Sequence, residues 1–198
     1  MKKSIKKVKD NITVSQYKLL ISSLKGNDNI RENRKERLLR VFVLLYNLGI
    51  RVNELSQFTY NKLNDLLDNG KTIITSHKQG SEKYIYITEN GKKEIIKIFD
   101  SIPYSNDYIF ISERGNKKNT LNPISMIADV NKYLKFVFGS NTRLTSHSFR
   151  QTLISNLATN GVNTKIIQNL IGHKSINTTY RYIKTTETDI MKSLEMVR

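Results

Sequence analysis

Between Glu32 and Gly49 the chain has a polar start, Glu32 to Arg37, followed by an apolar run from Leu38 to Leu48 in which Arg40 is the charged exception. A helix that is apolar on nearly every side must be wrapped by other elements, so this segment is predicted to lie deep in a core, with Gly49 ending it. With 198 residues, 38% of them hydrophobic, the chain is long enough to build that core. Nine Gly and two Pro leave little material for long linkers, and no internal repeat or low-complexity tract is present.

Other elements can be read around this helix. Thr13 is placed to cap a helix carrying Tyr17, Leu19, Leu20, Ile21 and Leu24, closed by Gly26. Arg51 to Phe58 reads as a short third helix. Lys71 to Ser76 and Tyr84 to Thr88 are rich in β-branched and aromatic residues and flank Gln79-Gly80-Ser81, which predicts a β-hairpin. Glu94 to Phe99 lies on a helix, Tyr108 to Ser112 reads as a third strand, and residues 122–138 form a helix with Pro123 in its first turn. Thr145 or Ser146 caps a helix holding Phe149, Leu153, Ile154 and Leu157, which ends at Asn160-Gly161. The next helix holds Ile166, Ile167, Leu170 and Ile171 and ends at Gly172. A short helix runs from Ser175 to Tyr182, and a final amphipathic helix (about 186–197) holds Ile190, Met191, Leu194 and Met196. The expected fold is mainly α with a small three-stranded antiparallel sheet (α+β). Residues 1–12 form a basic tail and 13–198 a single domain.

The chain carries 33 Lys and Arg against 17 Asp and Glu, a formal charge of +16. A phosphate backbone is the usual counter-anion for such a surface, because its counterions are released when Lys and Arg neutralise it; a solubilising surface is the plainer alternative. The absence of cysteine excludes disulfides, thiolate nucleophiles and Cys-ligated metal. Lys2, Lys3, Lys6, Lys7 and Lys9 are followed by no long apolar run, which argues against a signal peptide. The longest apolar stretch, Val41 to Tyr46, is too short to span a bilayer. A cytoplasmic protein with no membrane partner is expected.

Three segments carry candidate chemistry: Leu48 to Leu55, Ser146 to Arg150, and Leu170 to His173 followed by Thr178-Thr179-Tyr180-Arg181-Tyr182. Cleaving a phosphodiester without metal requires cations facing the non-bridging oxygens, a nucleophile in line, and an acid for the leaving oxygen. Arginine suits the first role because its planar fork gives two parallel hydrogen bonds and never deprotonates. His147 and Arg150, three apart, share a face of a helix's first turn, about 5–6 Å apart at Cβ. One phosphate meets both there, and the helix N-terminus favours an anion. Each feature alone has a plainer meaning. His147 and Arg150 also read as a surface pair, His173 as a partner for helix-end carbonyls, Arg51 with Glu54 as a local ion pair, and Tyr182 as one of ten tyrosines. His77 reads as a solvated strand residue.

Taken together, the order Arg, His-x-x-Arg, Gly-His and then Tyr nine residues later resembles the tyrosine recombinase (phage integrase and Xer-type) family. Gly-x-Arg-x-x-Glu-Leu is present as Gly49-Ile50-Arg51-Val52-Asn53-Glu54-Leu55. The Leu-Gly-His…Thr-Thr-x-x-Tyr pattern is present as Ile171-Gly172-His173…Thr178-Thr179-Tyr180-Arg181-Tyr182, and the resemblance covers roughly residues 13–195.

The resemblance implies a site-specific DNA recombinase that works through a 3′-phosphotyrosyl intermediate in integration, excision, inversion or resolution. Arg51 and Arg150 then bind the scissile phosphate. His147 serves as base or hydrogen-bond partner on the nucleophile's side, and His173 donates to a non-bridging oxygen. Tyr182 attacks, Tyr180 being the competing candidate. Glu54 buttresses Arg51. The lysine that protonates the leaving oxygen is Lys78, with Lys83 the lesser candidate because the usual Gly-Lys-Gly form is altered. Lys2, Lys3, Lys6, Lys7, Lys9 and Lys174 are candidate DNA contacts. No cofactor or metal is implied. The partners implied are double-stranded recombination sites and, on DNA, a homotetramer in which the last helix docks on a neighbouring protomer.

Two departures stand out: Gln151 replaces a frequent His, and only 50 residues precede Arg51, where most relatives carry a separate DNA-clamping domain. Short relatives resembling the fimbrial-switch inversion enzymes lack that clamp, so the chain is expected to be either complete or an isolated catalytic domain. The rival readings are a type IB topoisomerase, a DNA-binding regulator that keeps the fold without catalysis, and a generic RNA binder, for which no RNP-type aromatic motif is present.

Overall fold

A computed structural model describes residues 10–75, 80, 82–112 and 120–180, together with 191 and 195. Helix α1 (Val14–Lys25) opens with a capping box: Thr13 Oγ1 accepts from Gln16 N (3.1 Å), and Gln16 Oε1 accepts from Thr13 N (2.9 Å). Helix α2 (Glu32–Leu48) is the predicted central helix. Leu38, Val41, Phe42, Val43, Leu44, Leu45 and Leu48 are all buried along it. It packs most closely on α1 and on the later helices α3 (Val52–Leu55), α5 (Glu89–Ile96) and α7 (Ser148–Thr159). Phe42 meets Phe149 at 5.8 Å and, from α6 (Pro123–Phe138), Tyr133 at 6.1 Å between ring centroids. Tyr17 stacks on Tyr46 at 3.6 Å, fastening α1 to α2.

The sheet differs from expectation. Strands β1 (Lys71–Thr75) and β2 (Glu82–Tyr86) pair antiparallel in the register Lys71↔Tyr86, Ile73↔Tyr84, Thr75↔Glu82. Among the described residues these are its two strands, and the expected third strand, Tyr108 to Ser112, is not part of it. Helix α4 (Tyr60–Asn69), absent from the sequence reading, explains the difference. Thr59 caps it, with Oγ1 accepting from Lys62 N at 3.3 Å, and Gly70 closes it. The stretch leading into α4 takes the hydrogen bonds of the extended segment: Ile109 N donates to Phe58 O (3.0 Å) and Tyr60 N to Asp107 O (3.1 Å). On its other side, Leu121 N donates to Phe110 O (2.7 Å). The segment makes isolated bridges, Thr59↔Tyr108 and Ile111↔Thr120.

Helix α5 starts at Glu89, earlier than expected, because Thr88 Oγ1 accepts from Gly91 N (3.2 Å). Helix α7 starts after His147. The N-cap position is therefore His147 rather than Thr145 or Ser146, and it makes no side-chain capping bond; Ser148 Oγ accepts from Thr145 N at 3.0 Å, bracing the turn before the helix. Helices α7 and α8 (Thr164–Ile171) close over a small second core of Ile154, Ile167 and Ile171, and α9 (Ile176–Tyr180) follows. Ile12 N donates to the buried Thr152 Oγ1 (2.8 Å), tying the start of the described chain to α7. Among the described residues no helix is long and apolar enough to cross a membrane. The expected final helix lies outside the described residues apart from Met191 and Glu195, both helical.

Candidate active site

The site is assembled where three helix ends meet one strand. Helix α2 ends at Gly49, whose φ of +58° is costly for any residue with a side chain. A Cβ there would also strike the Leu153 side chain of α7. The tight turn sends the chain directly into α3, whose first turn folds on itself: Glu54 Oε2 accepts from Arg51 N (2.8 Å) and Oε1 from Arg51 Nη1 (3.1 Å).

Glu54 is fully buried, and a buried carboxylate has to be compensated. Lys83 Nζ reaches Oε1 at 2.9 Å from β2, and Arg150 Nη1 stands 4.0 Å from Oε2, coming from α7. Burial pushes the Glu54 carboxyl up, but Lys83, the Arg51 N–H and Arg150 outweigh it and hold the group below its ordinary range. Lys83 is held below the ordinary lysine range, chiefly by burial, which the Glu54 charge offsets in part.

Arg150 is 1% exposed and spans two helix ends, donating from Nη1 to Gly49 O (3.2 Å) and from Nη2 to Ile171 O (2.6 Å). Both acceptors sit where a helix leaves carbonyls without intrahelical partners. At the end of α8, Gly172 adopts the left-handed conformation (φ +73°), and Gln168 Nε2 donates to His173 O at 2.9 Å. His173 is thereby turned inward. It is 8% exposed, and its Nδ1 lies 3.0 Å from Thr179 Oγ1 of α9. Burial, then the fields of Arg150, Arg51, His147 and Lys83, push its pKa down to about 4, leaving it neutral at physiological pH. His147, half-buried, stands one residue before α7 and three before Arg150.

Arg51, Glu54, Lys83, His147, Arg150 and His173 therefore converge, although up to 122 positions separate them in the chain (173 − 51). Lys174 is exposed beside His173. Tyr180, 52% exposed, ends α9. Tyr182, Lys78, Lys2, Lys3, Lys6, Lys7 and Lys9 lie outside the described residues. A cleft of about 620 Å³ opens between β2 and α8, bordered by Lys83, Tyr84, Leu170 and His173. Among the described residues no group of three His, Cys, Asp or Glu side chains is arranged to hold a metal ion.

Sequence reading missed the contacts that Lys83, Thr179 and Gln168 make. A signal for Lys83 was present. In a strand, alternate residues share a face, and position 83 shares the inward face with the buried Ile85. A lysine facing the core needs an acid to meet.

The phage integrase family model matches residues 10–189. Tyrosine recombinase XerA of Pyrococcus horikoshii is 28% identical over 193 residues, covering 98% of this chain and 63% of that protein. Tyrosine recombinase XerC of Rickettsia massiliae is 35% identical over 175 residues, covering 87% of this chain and 52% of that protein. The solved structure of the Tn1549 transposon integrase in complex with a circular intermediate DNA superimposes with a TM-score of 0.72 at 18% identity, covering 97% of this chain and 67% of that one, a likeness of fold. The chain belongs to the phage integrase, or tyrosine recombinase, family. It spans about half to two-thirds of the length of these curated relatives.

Proposed function

We propose that the chain breaks and rejoins DNA strands at specific sites through a 3′-phosphotyrosyl bond to Tyr182. The observation that carries this reading is the gathering of Arg51, Lys83 and Arg150 around the buried Glu54 carboxylate, with His173 and His147 within reach of the same charges. Among the described residues, Arg51, Lys83 and Arg150 stand around the Glu54 carboxylate, an excess of positive charge that suits a phosphate. Phosphoryl transfer asks mainly for such positioning and electrostatics.

In the proposed reaction the Tyr182 phenol oxygen bonds to phosphorus as the bond to the 5′-oxygen breaks. The phenol proton passes to His147, and the 5′-oxygen takes a proton from Lys78. Arg51 and Arg150 stabilise the charge that grows on the non-bridging oxygens. A neutral His173 whose Nδ1 accepts from the Thr179 hydroxyl carries its proton on Nε2, the tautomer that donates to such an oxygen. Attack by another strand's 5′-hydroxyl on the phosphotyrosine restores the phenol, so bond energy is conserved. The partners are double-stranded recombination sites and three further copies in a tetramer on DNA, one of which receives the final helix, in the cytoplasm.

Nicked duplexes with a randomised centre provide the test, since the nick lets the cleaved end diffuse away and strands the intermediate. The expected result is a detergent-resistant protein–DNA adduct on a selected subset of duplexes, lost in Tyr182→Phe. No adduct on any duplex overturns the reading in favour of a DNA-binding regulator. Relaxation of supercoiled plasmid without site preference overturns it in favour of a topoisomerase.

A further inference from the structure

We propose that Lys83 is a positioning residue whose ammonium compensates Glu54 and ties β2 to the last carbonyl of α8, holding Arg51, Arg150 and His173 as one unit. Its effect on catalysis rests on the recombinase reading; the electrostatic role does not.

The geometry supplies the argument. Glu54 Oε1 is shared between Arg51 Nη1 (3.1 Å) and Lys83 Nζ (2.9 Å). Lys83 Nζ also donates to Ile171 O (3.5 Å), the same oxygen that accepts from Arg150 Nη2 (2.6 Å). One lysine therefore touches the acid that orients the first arginine and the carbonyl that anchors the second. The Lys83 side chain is 11% exposed. Its stem runs beneath Gly172, where an added Cβ would come within 3.1 Å of Lys83 Cδ. The backbone that carries His173 is thus packed directly on Lys83.

Two of the three N–H bonds of Lys83 are committed to Glu54 and Ile171 O, which suits a cross-link better than a proton donor aimed at a leaving oxygen. Without Lys83, the buried Glu54 keeps Arg51 from α3 and Arg150 from α7. Arg150 Nη1, 4.0 Å away, becomes the cation that closes in. That movement draws it off Gly49 O and Ile171 O and unseats the site.

The experiment has two arms. On the free full chain, a carbon-13 NMR titration follows the Glu54 carboxyl. Its folded-state pKa is depressed by Lys83, by the Arg51 N–H and by Arg150, so Lys83→Met is expected to raise it and Lys83→Arg to leave it low. An unmoved Glu54 titration in Lys83→Met overturns the proposal. On the duplex that the wild type selects, cleavage is compared between an ordinary 5′-oxygen and a 5′-bridging sulfur, which leaves without needing a proton. Lys83→Met is expected to slow both by about a hundredfold, the scale of a misplaced catalytic group. Lys83→Arg keeps the charge but cannot give up a proton, so it is expected to stay within a few-fold of wild type. Rescue of Lys83→Met by sulfur, or a Lys83→Arg as inactive as Lys83→Met, makes Lys83 the acid and overturns the proposal. If the wild type cleaves nothing, the recombinase reading fails while the titration still decides the electrostatic role.

Discussion

His173 concentrates the physics of the site in one ring. Burial and four neighbouring groups all oppose its charging and push its pKa from the ordinary 6.5 down to about 4. Between those values the unfolded chain binds a proton that the folded chain refuses, so stability rises with pH across the window. The contribution is fully present above about pH 6.5 and is lost as the pH falls toward 4. Thermal unfolding measured from pH 4 to 7.5 is expected to fall more steeply on the acid side for wild type than for His173→Gln. Parallel curves would show that the ring is not held neutral. The motif residues themselves were legible in the sequence through their order taken together, since each alone has a plainer meaning: Arg51 and Glu54 after a helix-ending glycine, His147-x-x-Arg150, and Gly172-His173. Their partners were not. The link from Lys83 to Glu54 crosses 29 positions (83 − 54) and that from Arg150 to Gly49 crosses 101, and neither distance leaves a local trace.

Among the elements, α2 was the easiest to read, since an apolar helix flanked by polar residues and a glycine has few other fates. Its end matters as much as its core. Gly49 needs a positive φ and lies against Leu153, so both backbone and space disfavour a side chain. Gly49→Ala is expected to cost about 1–3 kcal/mol in denaturant unfolding and to weaken cleavage by shifting Arg51 against Arg150. A variant as stable as wild type would mean that the turn tolerates rearrangement. Helix α4 escaped notice because its cap, Thr59, and its closing glycine, Gly70, frame a stretch rich in Asn and Asp that reads as loop. The third strand failed for a related reason. Residues 108–112 have strand composition, but the chain around Phe58 and Leu121 reaches their backbone first. Composition shows that a segment is extended, while topology decides what it pairs with.

For the whole molecule, the net charge of +16 pointed to a polyanion before any fold was known. It is a sum, however, and carries no information on which face the charge occupies. The fold concentrates part of it: Arg51, Lys83 and Arg150, from three separate elements, stand around Glu54 beside a cleft. This chain spans about half to two-thirds of the length of the curated relatives it matches. The central claim is that this cluster serves a phosphate attacked by Tyr182. Its most direct test is peptide mapping of the trapped protein–DNA adduct by mass spectrometry after nuclease and protease digestion. The account predicts a nucleotide joined through its 3′-phosphate to the peptide containing Tyr182, formed by the wild type and absent from Arg150→Ala. A nucleotide on Tyr180 or any other residue, or an adduct that forms equally well without Arg150, would contradict it.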